Sequence, residues 1–196
     1  MCYTFNANII TIMNTHDKLR EIKQRFFLSM NGVASQSMRD KGLEYKINWG
    51  IELPVLKRMA AEYGKDYDIA MALWKEDIRE CKILATLIMP AEKMDAELLS
   101  VWMEQTSSVE IAEMAAFNLY QYVDGVSGCA FEWIASENDI CQICGYNVLA
   151  RLLKRGFALH ERDMHELEDQ AQSAIACGSL QVRRAAAACM MSCRNE

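Results

Sequence analysis

The sequence predicts an all-α fold in which helix pairs stack into an α-solenoid, a superhelix of repeated pairs. Three observations carry the prediction. Strong helix formers abound, and 196 residues contain only two prolines. Apolar residues recur at helical spacing from Glu52 onwards, with no two-residue alternation between hairpin turns. Potential N-caps, Asp77, Ser107, Asp139 and Ser179, follow one another at intervals of 30, 32 and 40 residues.

A first amphipathic helix is expected over 16–30, and a short second one within the Gly/Ser/Asn-containing stretch 31–42. The third, over 52–64, has both ends marked. Pro54 suits a first turn, where its missing N–H costs nothing. Leu53, Leu56, Met59, Ala60 and Tyr63 share one stripe, and Gly64 can close the helix. Further helices are expected at 67–75, 77–89, 95–105, 107–122, 129–136, 139–155, 162–177 and 180–193. Asp77, Ser107 and Asp139 are followed three residues on by Glu80, Glu110 and Gln142, the pattern of a capping box, and each marks the second helix of a pair. Pairs repeated at about 30 to 45 residues suit a HEAT-like array, since one pair cannot bury its apolar face until a neighbour stacks on it. An irregular bundle is the alternative, but it gives no reason for the spacing.

One domain is expected over residues 1–196, with 1–50 an N-terminal helical segment and 51–196 the stacked pairs. The eight cysteines fall in helical apolar runs, as between Ala185 and Cys193, and read as small core residues in a reducing compartment. The patch from Ile9 to Ile12 has no basic region before it and no small-residue cleavage site after it. No apolar run approaches membrane-spanning length, so a cytoplasmic protein without a membrane partner is expected. The net charge of −6 counts against a surface that attracts nucleic acid everywhere, yet leaves room for one basic face.

The expected second helices supply candidates for that face: Arg79 and Lys82, then Arg151, Lys154 and Arg155, then Arg183, Arg184 and Arg194. The first helices and their connections are acidic instead, and a basic inner face on an acidic molecule suits a phosphate backbone. Simpler readings stand beside this one. Arg151, Lys154 and Arg155 end a helix, where cations complement the macrodipole. Arg183 and Arg184 are adjacent and point apart. The helix over 107–122 has no Lys or Arg and carries Glu110 and Glu113 near its centre.

Cys141-Gln142-Ile143-Cys144 is a lone C-x-x-C without a second ligand pair or a strand–helix context, which favours a buried or incidental role. His160 and His165 lack the i, i+4 spacing of a helical metal pair and read as surface residues. Trp74, Trp102 and Trp133 read as core rings whose N–H groups find partners, with base stacking as the alternative. No phosphate loop, nucleophile elbow or Ser/His/Asp arrangement is present, and neither a cofactor nor a metal is expected.

The stretches Asn31-Gly32-Val33-Ala34-Ser35, Gly50-Ile51-Glu52-Leu53-Pro54 continuing to Ala60, Ala72-Leu73-Trp74 and Arg79-Glu80-Cys81 continuing to Ala85 resemble the HEAT-like DNA alkylation repair proteins, the AlkD-like alkylpurine DNA glycosylases. The resemblance spans about residues 26–193. It implies a curved stack that grips duplex DNA in its concave groove and removes cationic N3- or N7-alkylated purines without metal or organic cofactor. It also implies a Trp at one helix start and, four residues later, an Asp that stabilises the cationic sugar as the glycosidic bond breaks. A carboxylate beside a developing oxocarbenium ion stabilises the transition state more than the ground state.

Here that motif falls on Thr106-Ser107-Ser108-Val109-Glu110. The carboxylate is kept as Glu110, one methylene longer, and Thr106 replaces the aromatic. The family's Trp-x-Arg-Arg falls on Ile140-Cys141-Gln142-Ile143, which leaves Gln142 as an uncharged phosphate donor. Its C-terminal Ile-Arg-Lys-Ala-Ile-Gly-Trp falls on 182–188, keeping a basic pair in Arg183 and Arg184 and putting Ala188 in place of the aromatic. The expectation is a divergent DNA-binding member whose glycosylase activity is changed or lost. Glu110 is its candidate catalytic residue, and Arg79, Lys82, Gln142, Arg151, Lys154, Arg183 and Arg184 are its candidate DNA contacts. A non-catalytic protein-interaction scaffold on the same fold is the competing expectation. A continuous positive strip would favour nucleic acid, and an apolar groove interrupted by acids around Glu110 and Glu113 would favour a peptide partner.

Overall fold

The computed structural model describes residues 14–193; the patch at Ile9 to Ile12, and Arg194, lie outside the described residues. Eleven α-helices follow in order: α1 Thr15–Leu28, α2 Gly32–Asp40, α3 Leu53–Tyr63, α4 Tyr67–Trp74, α5 Arg79–Ile88, α6 Ala96–Glu104, α7 Val109–Asn118, α8 Val126–Ile134, α9 Asp139–Lys154, α10 Glu161–Cys177 and α11 Leu180–Cys193. Extended pairing among the described residues is limited to one isolated parallel bridge between Ile47 and Ile78. The all-α fold expected from composition is therefore present. No described helix is long and apolar enough to cross a membrane.

Helices α5, α7, α9 and α11 stack in chain order into one column, while α4, α8 and α10 pack against α5, α9 and α11 respectively. One contiguous hydrophobic cluster runs through both layers from Ile22 on α1 to Cys189 on α11. Neighbouring pairs are joined by large rings. Trp74 and Trp102 stack face to face with centroids 3.9 Å apart and planes 3° from parallel, and both are buried. Trp133 packs on Tyr120 with centroids 5.5 Å apart. These tryptophans belong to the core, but one expectation is corrected: the indole N–H groups of Trp74 and Trp102 meet no protein acceptor. What the stack contributes is contact area and ring geometry.

The second helices start at Arg79, Val109, Asp139 and Leu180, so the repeat spacing holds, but the expected capping boxes do not form. At α5 the cap position is Ile78 rather than Asp77, and no side chain bonds the first turn. At α7 it is Ser108 rather than Ser107, accepting from the Ile111 N–H at 3.2 Å. At α9 it is Asn138 rather than Asp139, accepting from the N–H groups of Ile140 and Cys141. Ser179 is where the sequence placed it, accepting from Val182 at 3.4 Å. The reciprocal half of each box fails because Glu80, Glu110 and Gln142 find partners elsewhere in the fold. For the two carboxylates, buried donors outbid an exposed helix-end amide, which water can satisfy, and the Gln142 side chain is turned to donate to the Ser136 carbonyl.

Two boundaries also differ. The helix expected over 107–122 stops at Asn118; Leu119 leaves helical angles and Tyr120–Tyr122 forms a 3-10 turn that buries Tyr120. Helix α8 starts at Val126, released by Gly125 at φ 73°.

The N-terminal segment explains two stretches singled out in the sequence. Asn31 caps α2 through the Ala34 N–H and donates its own N–H to the Trp49 carbonyl at 2.8 Å, while the Ser35 hydroxyl donates to the Asn48 carbonyl at 2.9 Å. Gly50, at φ 70°, sits against this turn: a Cβ there would lie 2.2 Å from the Asn31 oxygen. Only glycine permits both the angle and the approach. Asn31-Gly32-Val33-Ala34-Ser35 and Gly50-Ile51 are thus two sides of one backbone contact.

Candidate nucleic-acid interface

Arg79 opens α5 and is 4% exposed. Its Nε and Nη2 donate to Glu110 Oε2 and Oε1 at 2.8 and 2.6 Å, a bidentate pair joining α5 to α7. Its Nη1 donates to the Ile51 carbonyl and to Glu80 Oε1, each at 3.1 Å. Glu80, fully buried, accepts the N–H groups of Trp49 and Ile51 at 3.2 Å. Glu110 accepts a further bond from the Tyr45 phenol, which also meets the Ser108 hydroxyl at 3.0 Å. Burial pushes the Glu110 carboxyl up, but the hydrogen bonds from Arg79 and Tyr45, together with the Arg79 charge, outweigh it and hold the carboxyl below its ordinary range. Burial alone would lower the Arg79 guanidinium, but its bond to Glu110 leads the effects that raise it instead. The arrangement ties the segment 45–51, α5 and α7 into one unit, and every Arg79 nitrogen is engaged.

The other candidate contacts lie in different surroundings. Lys82 is half-buried with Nζ 4.3 Å from the Trp74 ring centre, and burial lowers its ammonium. Gln142 donates its amide to the Ser136 carbonyl at 2.6 Å. Arg183 is exposed and donates Nε to the Gly178 carbonyl at 2.7 Å. Arg184 and Lys154 are exposed. The fold does not bring these residues to one place: Arg79 and Glu110 meet, whereas Gln142 at the start of α9 and Arg151 near its end are more than two turns apart.

Arg151 is gathered with residues outside that candidate set. Its guanidinium carbon lies 4.4 Å from the Phe117 ring centre, and Lys57 Nζ from α3 approaches the same ring at 5.3 Å. One turn on, Arg155 lies over Tyr122 at 4.6 Å and donates to the Gln121 carbonyl. Among the described residues, none of Lys57, Arg151 and Arg155 forms an ion pair. Arg151 is lowered by burial, which the Glu113 carboxylate opposes in part. The Glu113 carboxyl on α7 is raised, first by burial and then by Glu110, with Arg151 opposing. Sequence reading missed Phe117 and Tyr122 because it placed both on one continuous helix. The available signal was that Arg151, in the last turn of α9, and Arg155, its C-cap, stand at i and i+4 and so share a face.

The C-x-x-C is not a paired redox site in this setting. Cys144 is buried, pushed up by burial, and bonds the Ala112 carbonyl at 3.7 Å. Cys81 and Cys189 are buried too, but Cys177 is exposed, which corrects the expectation for that cysteine. His160 and His165 lie at the surface, His165 beside Glu161 and Glu168. No group of three or more metal-ligating side chains exists among the described residues.

Helix pairs whose second members stack in chain order into one column define a HEAT-like repeat protein. The sequence profile described as DNA alkylation repair enzyme matches residues 29–193, and the chain belongs to that family. No curated protein sequence matches it. It is similar to a solved structure described as a new family of proteins related to the HEAT-like repeat DNA glycosylases with affinity for branched DNA structures. The TM-score is 0.79 at 13% identity, covering 89% of this chain and 74% of that one.

Proposed function

We propose that this protein binds DNA with branched or unpaired strands and does not excise alkylated purines. The Arg79–Glu110 pair carries the reading. A carboxylate already held bidentately by a buried guanidinium and bonded by a phenol has little charge left for an oxocarbenium ion. Three further positions support it. Thr106, standing for the family's aromatic, is buried with its hydroxyl on the Trp102 carbonyl at 2.8 Å. The Gln142 amide is held by Ser136, and Ala188 offers no ring. The affinity for branched DNA described for the structural neighbour points the same way. Glu110 is on this reading a positioning residue that fixes α5 against α7. Arg151, Lys154, Arg183 and Arg184 remain the candidate DNA contacts, while Arg79 serves the scaffold. We place the protein in the cytoplasm, where Cys81, Cys144 and Cys189 stay reduced.

The test has two arms. Incubation with DNA carrying N7- or N3-methylpurines, followed by chromatography of released bases, is expected to give no release above buffer; release that Glu110→Gln abolishes would overturn the reading. Fluorescence anisotropy across a salt titration is expected to show affinity that falls steeply with salt. No binding at low salt would leave the protein-interaction scaffold instead.

A further inference from the structure

Lys57, Phe117, Arg151, Tyr122 and Arg155 form a strip in which cations and aromatic rings alternate. They come from α3, α7, the 3-10 turn and the end of α9 with its C-cap Arg155. The rings are not core residues: Phe117 is 38% and Tyr122 54% exposed. The cations lack anionic partners within ion-pair distance among the described residues, and the Nε of Arg151 is buried without an acceptor. The carboxylate that acts on Arg151 is Glu113, and it stands outside ion-pair distance. At the far end Tyr122 and Arg155 border a groove of about 600 Å³ that is also lined by Phe157, itself exposed. That volume lies within the range of small-molecule sites.

We propose that this strip is a track for an unpaired DNA strand, with phosphates on Lys57, Arg151 and Arg155, bases stacked on Phe117 and Tyr122, and one base seated in the groove beside Phe157. The inference rests on the DNA-binding reading above and names the part of the DNA that is held. Charge complementarity selects a polyanion, and the partly exposed rings select among polyanions. In a duplex the base faces are occupied by their neighbours, so a duplex offers such a strip only its phosphates. A single strand, such as the arm of a branch, offers phosphates and ring faces together, and every base has a face to stack. Asp124 also lines the groove, and a carboxylate there suits a base rather than a phosphate.

The experiment compares anisotropy of the full chain on a blunt duplex and on the same duplex with a single-stranded flap, for wild type and for Phe117→Leu/Tyr122→Leu. Leucine keeps apolar volume and removes the stacking face, and circular dichroism and thermal melting report whether the variant is folded. Tyr122→Leu alone, at the more open ring, is the second variant. Wild type is expected to prefer the flap, and the double variant to lose about tenfold or more in flap affinity while keeping its duplex affinity. Flap preference unchanged in folded variants, or equal wild-type affinity for both substrates, would overturn the track and leave DNA binding standing. No wild-type binding to either DNA would remove the DNA-binding reading itself.

Discussion

Arg79 and Arg151 both stand on second helices, and by sequence both are candidate phosphate contacts. The α5/α7 junction uses Arg79 completely: two carboxylates and a carbonyl take its donors, and it is sealed from water. The α7/α9 side leaves Arg151 on the face of Phe117, without an ion pair among the described residues. Charge content therefore does not decide which surface attracts an anion. What decides is whether the fold has already supplied a counter-charge, since a buried ion pair presents little net field to a ligand.

Substitutions should separate the two regions. The largest effect is expected on the scaffold side at Gly50→Ala, where a methyl meets backbone at 2.2 Å under a positive φ. A loss on the order of 4 kcal/mol or more should appear in urea unfolding, with little soluble protein as the extreme outcome. Arg79→Met comes next, at about 3 kcal/mol, because it strands Glu80 and Glu110 in a buried setting; partial access of water to Glu110 keeps it at the low end. The double variant Arg79→Met/Glu110→Met should lose much less than the sum of the single changes, and additive losses would break the claim that the pair acts as a unit. Arg151→Met should cost under about 1 kcal/mol of stability. It should instead reduce the slope of log affinity against log salt by about one, with duplex and flap both affected.

Acid should probe the junction too. The Glu110 carboxyl is lowered in the folded state, so its contribution is present above the unfolded glutamate value of about 4.3 and is lost as pH falls through the folded value. Stability measured from about pH 5 to pH 3 should therefore fall less steeply in Glu110→Gln than in wild type. Glu113 has the opposite sign: its carboxyl is raised, so folding is penalised as pH rises through the unfolded value towards the folded one. Glu113→Gln should stabilise the protein at neutral pH by a few tenths of a kcal/mol, roughly, once solvent screening is allowed for. It should also tighten DNA binding slightly; weaker binding would mean that Glu113 itself contacts the DNA.

Much of the architecture was legible because it depends on local rules. The stripe from Leu53 to Tyr63, Pro54 in the first turn and Gly64 at the end located α3 within a residue, and the spacing of the second helices survived although three caps moved by one position. The site was less legible. Glu80 and Glu110 satisfy the capping-box pattern in sequence, and nothing local reveals that Glu80 is taken by the backbone amides of Trp49 and Ile51, or Glu110 by a guanidinium from another helix. Phe117 and Tyr122 were hidden by an uninterrupted helical pattern that Leu119 breaks only because Tyr120 turns into the core.

By itself the sequence determined that this chain forms paired helices, where most of them begin and end, and which family it resembles, since these follow from periodicity, capping chemistry and short motifs. Tertiary structure alone decided which charges are spent inside the protein and which remain available outside. Pairing of Arg79 with Glu110 across 31 positions, and of Lys57 and Arg151 with one ring, depends on how helices stack, and stacking is set by the whole core rather than by any segment of it.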